Sequence, residues 1–274
     1  MQAAVLAGRP MTLTFTILGC GSSGGVPRVG QGWGACDPAE PRNRRRRCSL
    51  LVRRAGPQGT TNVLVDTSPD LREQLLDAGI THLDGVLISH EHADHTHGID
   101  DVRPLVIHNR KRIDLYTDED TSRILHLRFG YCFVTPPGSN YPPILTEHRF
   151  HEGRELTIHG AGGPITALPF RQRHGDIDAF GFRFGNVAYS SDVNGFPDNS
   201  LIHLKDLDIW ILDALRETPH PSHFSLGEAL DHIALMRPAR AILTNLHTDL
   251  DYQTLRNRLP EHIVPAYDGM TFEG

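Results

Sequence analysis

Short β-branched and apolar runs recur along the chain, each closed by glycine, proline or a polar cluster, so strands are the dominant expectation. Leu13–Leu18 is the first, and it runs into the loop Gly19-Cys20-Gly21-Ser22-Ser23-Gly24-Gly25. Cys48–Arg53 and Asn62–Asp66 flank a Gly-Pro-Gln-Gly turn and read as a hairpin. Ser68-Pro69 then sets a capping residue before a proline at a first helical position, with Leu71, Leu75 and Leu76 at helical spacing up to Gly79. Leu83–Ser89 is a further apolar strand, followed by a strand at 113–117 and a helix at 119–128. Strands are expected at 154–159, 164–170, 179–184, 186–190, 207–212 and 241–245. Ser225-Leu226-Gly227-Glu228 is a capping box that opens a helix to about Met236. Strands with helices interspersed in both halves, and no repeat, predict a layered α/β domain with mixed sheets. That domain is expected over 11–274, with a disordered leader at 1–10 and an aromatic, proline-rich flap at about 129–150.

Composition changes this picture in two respects. The chain has 274 residues, 39% of them hydrophobic and 22% charged, which suits one large globular domain and excludes disordered, collagen-like and coiled-coil classes. Thirty-three acidic against 27 basic residues leave a net charge of −6, which argues against general affinity for nucleic acid or anionic membranes. No signal-peptide pattern and no apolar run long enough for a membrane helix is visible. Cys20, Cys36, Cys48 and Cys132 form no CxxC pair and no secreted disulfide framework, so free thiols and a cytoplasmic location are expected. The anomaly is histidine, present 17 times. It is the commonest metal ligand and titrates near neutral pH.

The histidines concentrate where the strand at 83–89 ends, in His90-Glu91-His92-Ala93-Asp94-His95. Alternation aims His90 and His92 the same way, while Asp94 and His95 project around the following turn. Mixed imidazole and carboxylate ligation fits zinc, manganese or iron and excludes calcium.

HxHxDH after an apolar strand resembles the metallo-β-lactamase superfamily of hydrolases. The resemblance implies a four-layer αβ/βα sandwich, two mixed sheets with outer helices, and a dinuclear site along one edge. It also implies a later histidine, an aspartate and a final histidine at strand ends, matched in order by His174, Asp192 and His247. By that likeness His90, His92 and His174 hold one ion, Asp94, His95 and His247 hold the other, and Asp192 bridges them. The cofactors so implied are two divalent metal ions, zinc or manganese.

Ala-Tyr-Ser-Ser-Asp192, His223 and Thr-Asn-Leu-His247 look like the phosphodiesterase branch. The runs Leu18–Pro27, Asp66–Arg72 and His95–Asp101 resemble, more closely, the phosphoribosyl 1,2-cyclic phosphate phosphodiesterases. Two departures stand out. No further cysteine follows Cys20 in the glycine loop, so a structural zinc known in that group is not expected. Asn245 also stands where such sequences often carry an additional histidine.

The implied function is hydrolysis of a small cyclic or nucleotide-like phosphodiester by a hydroxide shared between two ions about 3.5 to 4 Å apart. Asp94 orients that hydroxide, and His223, just before the Ser225 cap, protonates the leaving alkoxide. Asp66 supports a ligating histidine from behind, against the plainer reading of a strand-end acid. The glycine-serine loop either offers N–H groups to phosphate or is a structural turn. Arg44–Arg47 either steers a polyanion or is a solvated face. Phe129, Tyr131, Phe133 and Tyr141 either stack on a base or pack the flap. The expected partner is a small phosphodiester, with no membrane and no nucleic acid, and a homodimer is left open. The alternatives are an endonuclease like the transfer-RNA 3′-processing enzymes, for which an RNA-binding arm is missing, and a metal-binding homologue without turnover.

Overall fold

The computed structural model describes residues 12–274; the leader expected at 1–10 lies outside them. Among the described residues fourteen strands form two seven-stranded sheets. The first takes β1 (Leu13–Gly19), β2 (Ser49–Gly56), β3 (Gly59–Val65), β4 (Gly85–Leu87), β5 (Ile113–Thr117) and β6 (Leu145–Arg149). The second takes β7 (Leu156–Ile158), β8 (Ile165–His174), β9 (Ile177–Phe184), β10 (Val187–Ser190), β11 (Ile209–Asp213), β12 (Arg240–Thr244) and β13 (Ile263–Pro265). The last strand, β14 (Thr271–Glu273), returns to the first sheet, giving orders β14-β1-β2-β3-β4-β5-β6 and β13-β12-β11-β10-β9-β8-β7. Both sheets are mixed: β14 to β3 and β7 to β10 pair antiparallel, while β3 to β6 and β10 to β13 pair parallel.

Alternation along the strands builds the layers. Leu50, Val52, Val63 and Val65 of the first sheet meet Phe182, Tyr189, Ile211 and Ile242 of the second in one inter-sheet core. The intervening residues point outward. Leu51 and Leu64 pack under α1 (Leu71–Asp77) and α4 (Glu119–Phe129) through Leu71, Leu75 and Leu125. Trp210, Leu212 and Leu243 pack under α6 (Leu226–Met236) and α7 (Tyr252–Arg258) through Ala229, Ile233 and Leu255. This is the expected four-layer sandwich, and strands buried on both faces explain the near-continuous apolar runs in the sequence. Three further α-helices complete it: α2 (Ala93–Thr96), α3 (Arg103–Asn109) and α5 (Asp198–Leu201).

Several local expectations change. The hairpin forms with Gly56 paired to Gly59, and the capping box at Ser225 and Glu228 is present. Pro69 is not the first helical residue. Leu71 is, because Ser68 closes a turn by accepting from Asp70 N and Leu71 N, and Asp70 spends its carboxylate on Arg47 N. The segment at 129–150 is no free flap: it contains β6, and Cys132, Phe133, Ile144 and Leu145 are buried in the outer core of the first sheet. Of its aromatic residues Tyr131 and Tyr141 are 42% and 76% exposed, whereas Phe133 packs. Arg44–Arg47 is not a solvated face either. Arg45 is 2% exposed, Arg46 pairs with Asp77, and Arg47 pairs with Asp70. Strands of three residues at 263–265 and 271–273, and the half-exposed β6, carried too little apolar pattern to be recognised. Among the described residues no helix is long and apolar enough to cross a membrane. The four cysteines are buried and unpaired.

Candidate active site

Parallel strands end together, and in each sheet the loops beyond those ends carry the polar residues. Asp66 follows β3, His90 lies three residues past β4, Asp192 follows β10 by two, and Asn245 follows β12. Asp66, Asp192 and Asn245 all have left-handed backbones, with φ of 63°, 51° and 61°. Asn and Asp tolerate that region better than most residues, and such strain concentrates at functional sites. His174 is the last residue of β8 itself, held opposite Ile177.

Five of the seven expected ligands converge: His90, His92, His95, His174 and Asp192, whereas Asp94 and His247 fall outside the donor groups. Among the described residues, His90, His92 and His174 form one group of donor atoms all within 4.8 Å of each other. His90, His95 and Asp192 form a second, and His174, Asp192 and His223 a third. Asp192 Oδ1 lies 3.1 Å and Asp94 Oδ2 3.5 Å from His95 Nε2. Asp192 Oδ2 lies 3.7 Å from His174 Nε2. Asp192 is thus central to the arrangement, and Asp94 is at its edge.

Each ring is oriented from behind. Asp66 Oδ2 receives His95 Nδ1 at 2.7 Å, Ser89 Oγ sits 2.9 Å from His90 Nδ1, and His174 Nδ1 donates to Ser222 O at 2.7 Å. Asp66 also accepts from Ser89 N and Ser89 Oγ, both at 2.8 Å, so it fixes the strand end as well as the ring. The opposite nitrogens, His90 Nε2 and His95 Nε2, are buried and have no hydrogen-bond partner. Buried polar atoms are almost always satisfied. Two orphaned imidazole nitrogens facing a carboxylate fit a divalent ion, with protein groups behind each ring as metal sites require.

Electrostatics agree. Burial and the neighbouring His95 hold the His90 ring well below its usual pKa, and so neutral. Burial works against a charged His95, but the carboxylates of Asp192, Asp66 and Asp94 outweigh it and raise its pKa. Burial likewise opposes ionised Asp192, yet His95, His223 and His174 keep its pKa well below the carboxylate range. Excess negative charge beside proton-hungry imidazoles is what a metal cation relieves.

His223 stands apart in chemistry. Its Nδ1 lies 2.7 Å from Asp213 Oδ2 and its Nε2 3.9 Å from Asp192 Oδ2. Burial lowers its pKa, but Asp213 and Asp192 more than compensate and push it up to about 9, leaving the ring protonated at neutral pH. Asp213, buried at the end of β11, was missed from sequence; the signal was an acid closing an apolar strand, as Asp66 does. Asn245, standing where the resemblance expects a further histidine, donates from Nδ2 to Asp192 Oδ1 at 3.3 Å, 3.0 Å from His223 Nδ1.

His247 belongs to none of the three donor groups. Its Nε2 is 2.6 Å from Arg28 Nη1, and its Nδ1 is 3.2 Å from Asp249 Oδ1. The glycine loop serves as scaffold: Leu246 N donates to Cys20 O and Ser22 N to Leu246 O, stitching the loop to the segment that carries His247. Of the flap aromatics, Phe129 meets the ring of His97, two residues past His95, at 5.5 Å.

Residues 61–245 match the family described as the beta-lactamase superfamily domain, and the chain belongs to that family. Its three donor groups, of imidazole and carboxylate, are of the kind that holds divalent ions. A finer likeness is to the crystal structure of a diphosphatase from the PhnP family, 36% identical, covering 96% of this chain and 98% of that chain with a TM-score of 0.85. The short form of human tRNase Z, 16% identical over 94% of this chain and 98% of that one, shares the fold with a TM-score of 0.60. An octanoyltransferase of Porphyromonas gingivalis (strain ATCC BAA-308 / W83) is 32% identical over 260 residues, which are 93% of this chain and 50% of that protein. The chain spans about half the length of this curated relative, and the name describes the whole of it.

Proposed function

We propose that the protein hydrolyses a small cyclic or nucleotide-like phosphodiester with two divalent ions, zinc or manganese. The observation that carries the reading is the pair of orphaned nitrogens, His90 Nε2 and His95 Nε2, facing Asp192 beside a protonated His223 held by Asp213. His90, His92 and His174 would hold one ion and Asp94, His95 and His247 the other, with Asp192 shared. When bound, the ions supply Lewis acidity that makes water nucleophilic near neutral pH and withdraws charge from a phosphoryl group. Asp94 accepts a hydrogen bond from the attacking water and aims it. His223 gives the proton on Nε2 to the leaving alkoxide, and Asp213 keeps Nδ1–H in place so that the ring donates in one direction. Asp66 holds the proton on His95 Nδ1, so that Nε2 is the nitrogen turned to the ion.

The likeness to a diphosphatase favours a second substrate form, a diester of diphosphate, on the same residues. Four buried, unpaired cysteines support a cytoplasmic setting. The test incubates the purified protein, loaded with zinc or manganese, with bis-p-nitrophenyl phosphate, a ribose cyclic phosphate, a dinucleoside diphosphate and a precursor transfer RNA. Turnover of the small diesters, abolished in Asp94→Ala, supports the proposal. Cleavage of the RNA alone transfers it to the endonuclease class, and two bound ions with no turnover to a binding role.

A further inference from the structure

The geometry points to Arg28 as the residue that binds a phosphate oxyanion of the substrate at the His247 side of the site, an inference that rests on the phosphodiester reading. Arg28 leaves the glycine loop two residues after Val26, which pairs with Arg45 in both directions (Val26 N to Arg45 O 2.8 Å, Arg45 N to Val26 O 2.9 Å). A tight turn from Arg28 to Gly32 fixes its backbone. The guanidinium then passes across Gly24, where a Cβ would come within 2.3 Å of Nε, so the loop is shaped to let the side chain by.

Among the described residues no carboxylate forms an ion pair with Arg28, although most of the arginines around it are paired or anchored. Arg46 and Arg47 meet Asp77 and Asp70, and Arg216 donates to Thr218 O and Pro219 O. The contact recorded for the Arg28 side chain is with His247 Nε2. A guanidinium cannot accept a hydrogen bond or lose its proton under these conditions, so Nε2 accepts and the ring proton is on Nδ1, toward Asp249. Arg28 therefore covers the lone pair that His247 needs as a ligand. With an ion on His247, Arg28 would need another acceptor, and among the described residues no carboxylate is paired with it. A fixed monocation beside divalent ions is tolerated when an anion lies between them. The planar fork of arginine suits a phosphate with two non-esterified oxygens.

The experiment compares wild type, Arg28→Lys and Arg28→Ala, each loaded with manganese and assayed for metal content by elemental analysis. Dissociation constants for inorganic phosphate are measured by titration calorimetry, beside KM and kcat for bis-p-nitrophenyl phosphate and the dinucleoside diphosphate. Arg28→Ala should weaken inorganic phosphate by about 10- to 100-fold, the worth of one or two charge-assisted hydrogen bonds. Metal content should stay at the wild-type value, and Arg28→Lys should recover part of the loss. The increase should appear in KM more than in kcat. An unchanged phosphate constant overturns the inference, and so does a loss that tracks a fall in bound metal. The two readings fail separately: a wild type that binds phosphate through Arg28 but cleaves no diester sinks the phosphodiesterase proposal and leaves the oxyanion site standing.

Discussion

Replacing Asp66 separates metal holding from folding more sharply than replacing any ligand. Asp66 is fully buried and takes three donors: Ser89 N, Ser89 Oγ and His95 Nδ1. In Asp66→Ala the Ser89 oxygen still accepts from His90 Nδ1 at 2.9 Å, but Ser89 N, the Ser89 hydroxyl proton and His95 Nδ1 are orphaned, three buried donors at about 1–3 kcal/mol each. Alanine in the left-handed backbone that Asp66 occupies, φ 63°, adds about 1 kcal/mol. The total, about 4–10 kcal/mol, is a large part of the 5–15 kcal/mol that typically separates folded from unfolded chains. Asparagine tolerates that backbone and keeps an acceptor for Ser89 N, so Asp66→Asn should cost only about 1–2 kcal/mol. It nevertheless presents an N–H toward His95 Nδ1. His95 must then accept at Nδ1 and carry its proton on Nε2, which blocks the nitrogen aimed at the ion. Asp66→Asn should therefore fold, with a thermal midpoint within a few degrees of wild type in the metal-free state, and bind zinc at least about 10- to 100-fold more weakly in competition with a chelator. If Asp66→Asn retains wild-type zinc affinity, the tautomer argument is wrong. If Asp66→Ala is as stable as wild type, the burial argument is wrong.

Four further outcomes are expected. His223→Ala should lower turnover by about 100- to 10,000-fold on a diester with a poor leaving group and far less on a nitrophenyl ester; equal losses on both would remove the proton-donor role. Asp268 is buried, and burial outweighs its hydrogen bonds from Arg46 N and Cys20 N to push its carboxyl up to about 7. The folded state then keeps a proton that the unfolded chain has lost above about 4, so stability should fall as pH rises from 4 to 7, by at most about 4 kcal/mol. Urea unfolding across that range should show the slope, and Asp268→Asn should flatten it. Gly98 lies in the histidine loop where a Cβ would meet Ser68 O at 2.0 Å; Gly98→Ala should destabilise by at least about 1–3 kcal/mol, read as a lower chemical midpoint. Arg45 donates to His247 O and Leu250 O from a fully enclosed position. Arg45→Met should leave Leu250 O unsatisfied, while His247 O keeps Leu250 N, and cost about 1–3 kcal/mol in the same assay, with weaker binding of the second metal ion as the loop loosens.

The order of strands and the points at which they stop were legible in the chain. Runs such as Asn62–Asp66 and Ala241–Asn245 are apolar because both faces of an inner strand are buried, and each ends on a polar residue where the sheet edge opens. His90, His92, Asp94 and His95 were visible as a local cluster, since one turn after one strand brings them together. His174 and Asp192 were reachable only through the likeness to a known family, because no local pattern connects residues about eighty to a hundred positions apart.

What the sequence determined by itself is therefore the set of elements and one ligand loop, both consequences of short-range periodicity. Tertiary structure decided the rest. Asp213 became the partner of His223 because β11 ends beside the loop before α6, and Asn245 met Asp192 because β10, β11 and β12 lie side by side. Arg45 left the surface expected of a basic run because pairing with Val26 carries it beneath the His247 loop. Arg28 reached His247 across 219 residues because the glycine loop is hydrogen-bonded to Leu246. Charges in sequence show which groups are available, whereas burial and the pairing of distant strands determine which of them meet.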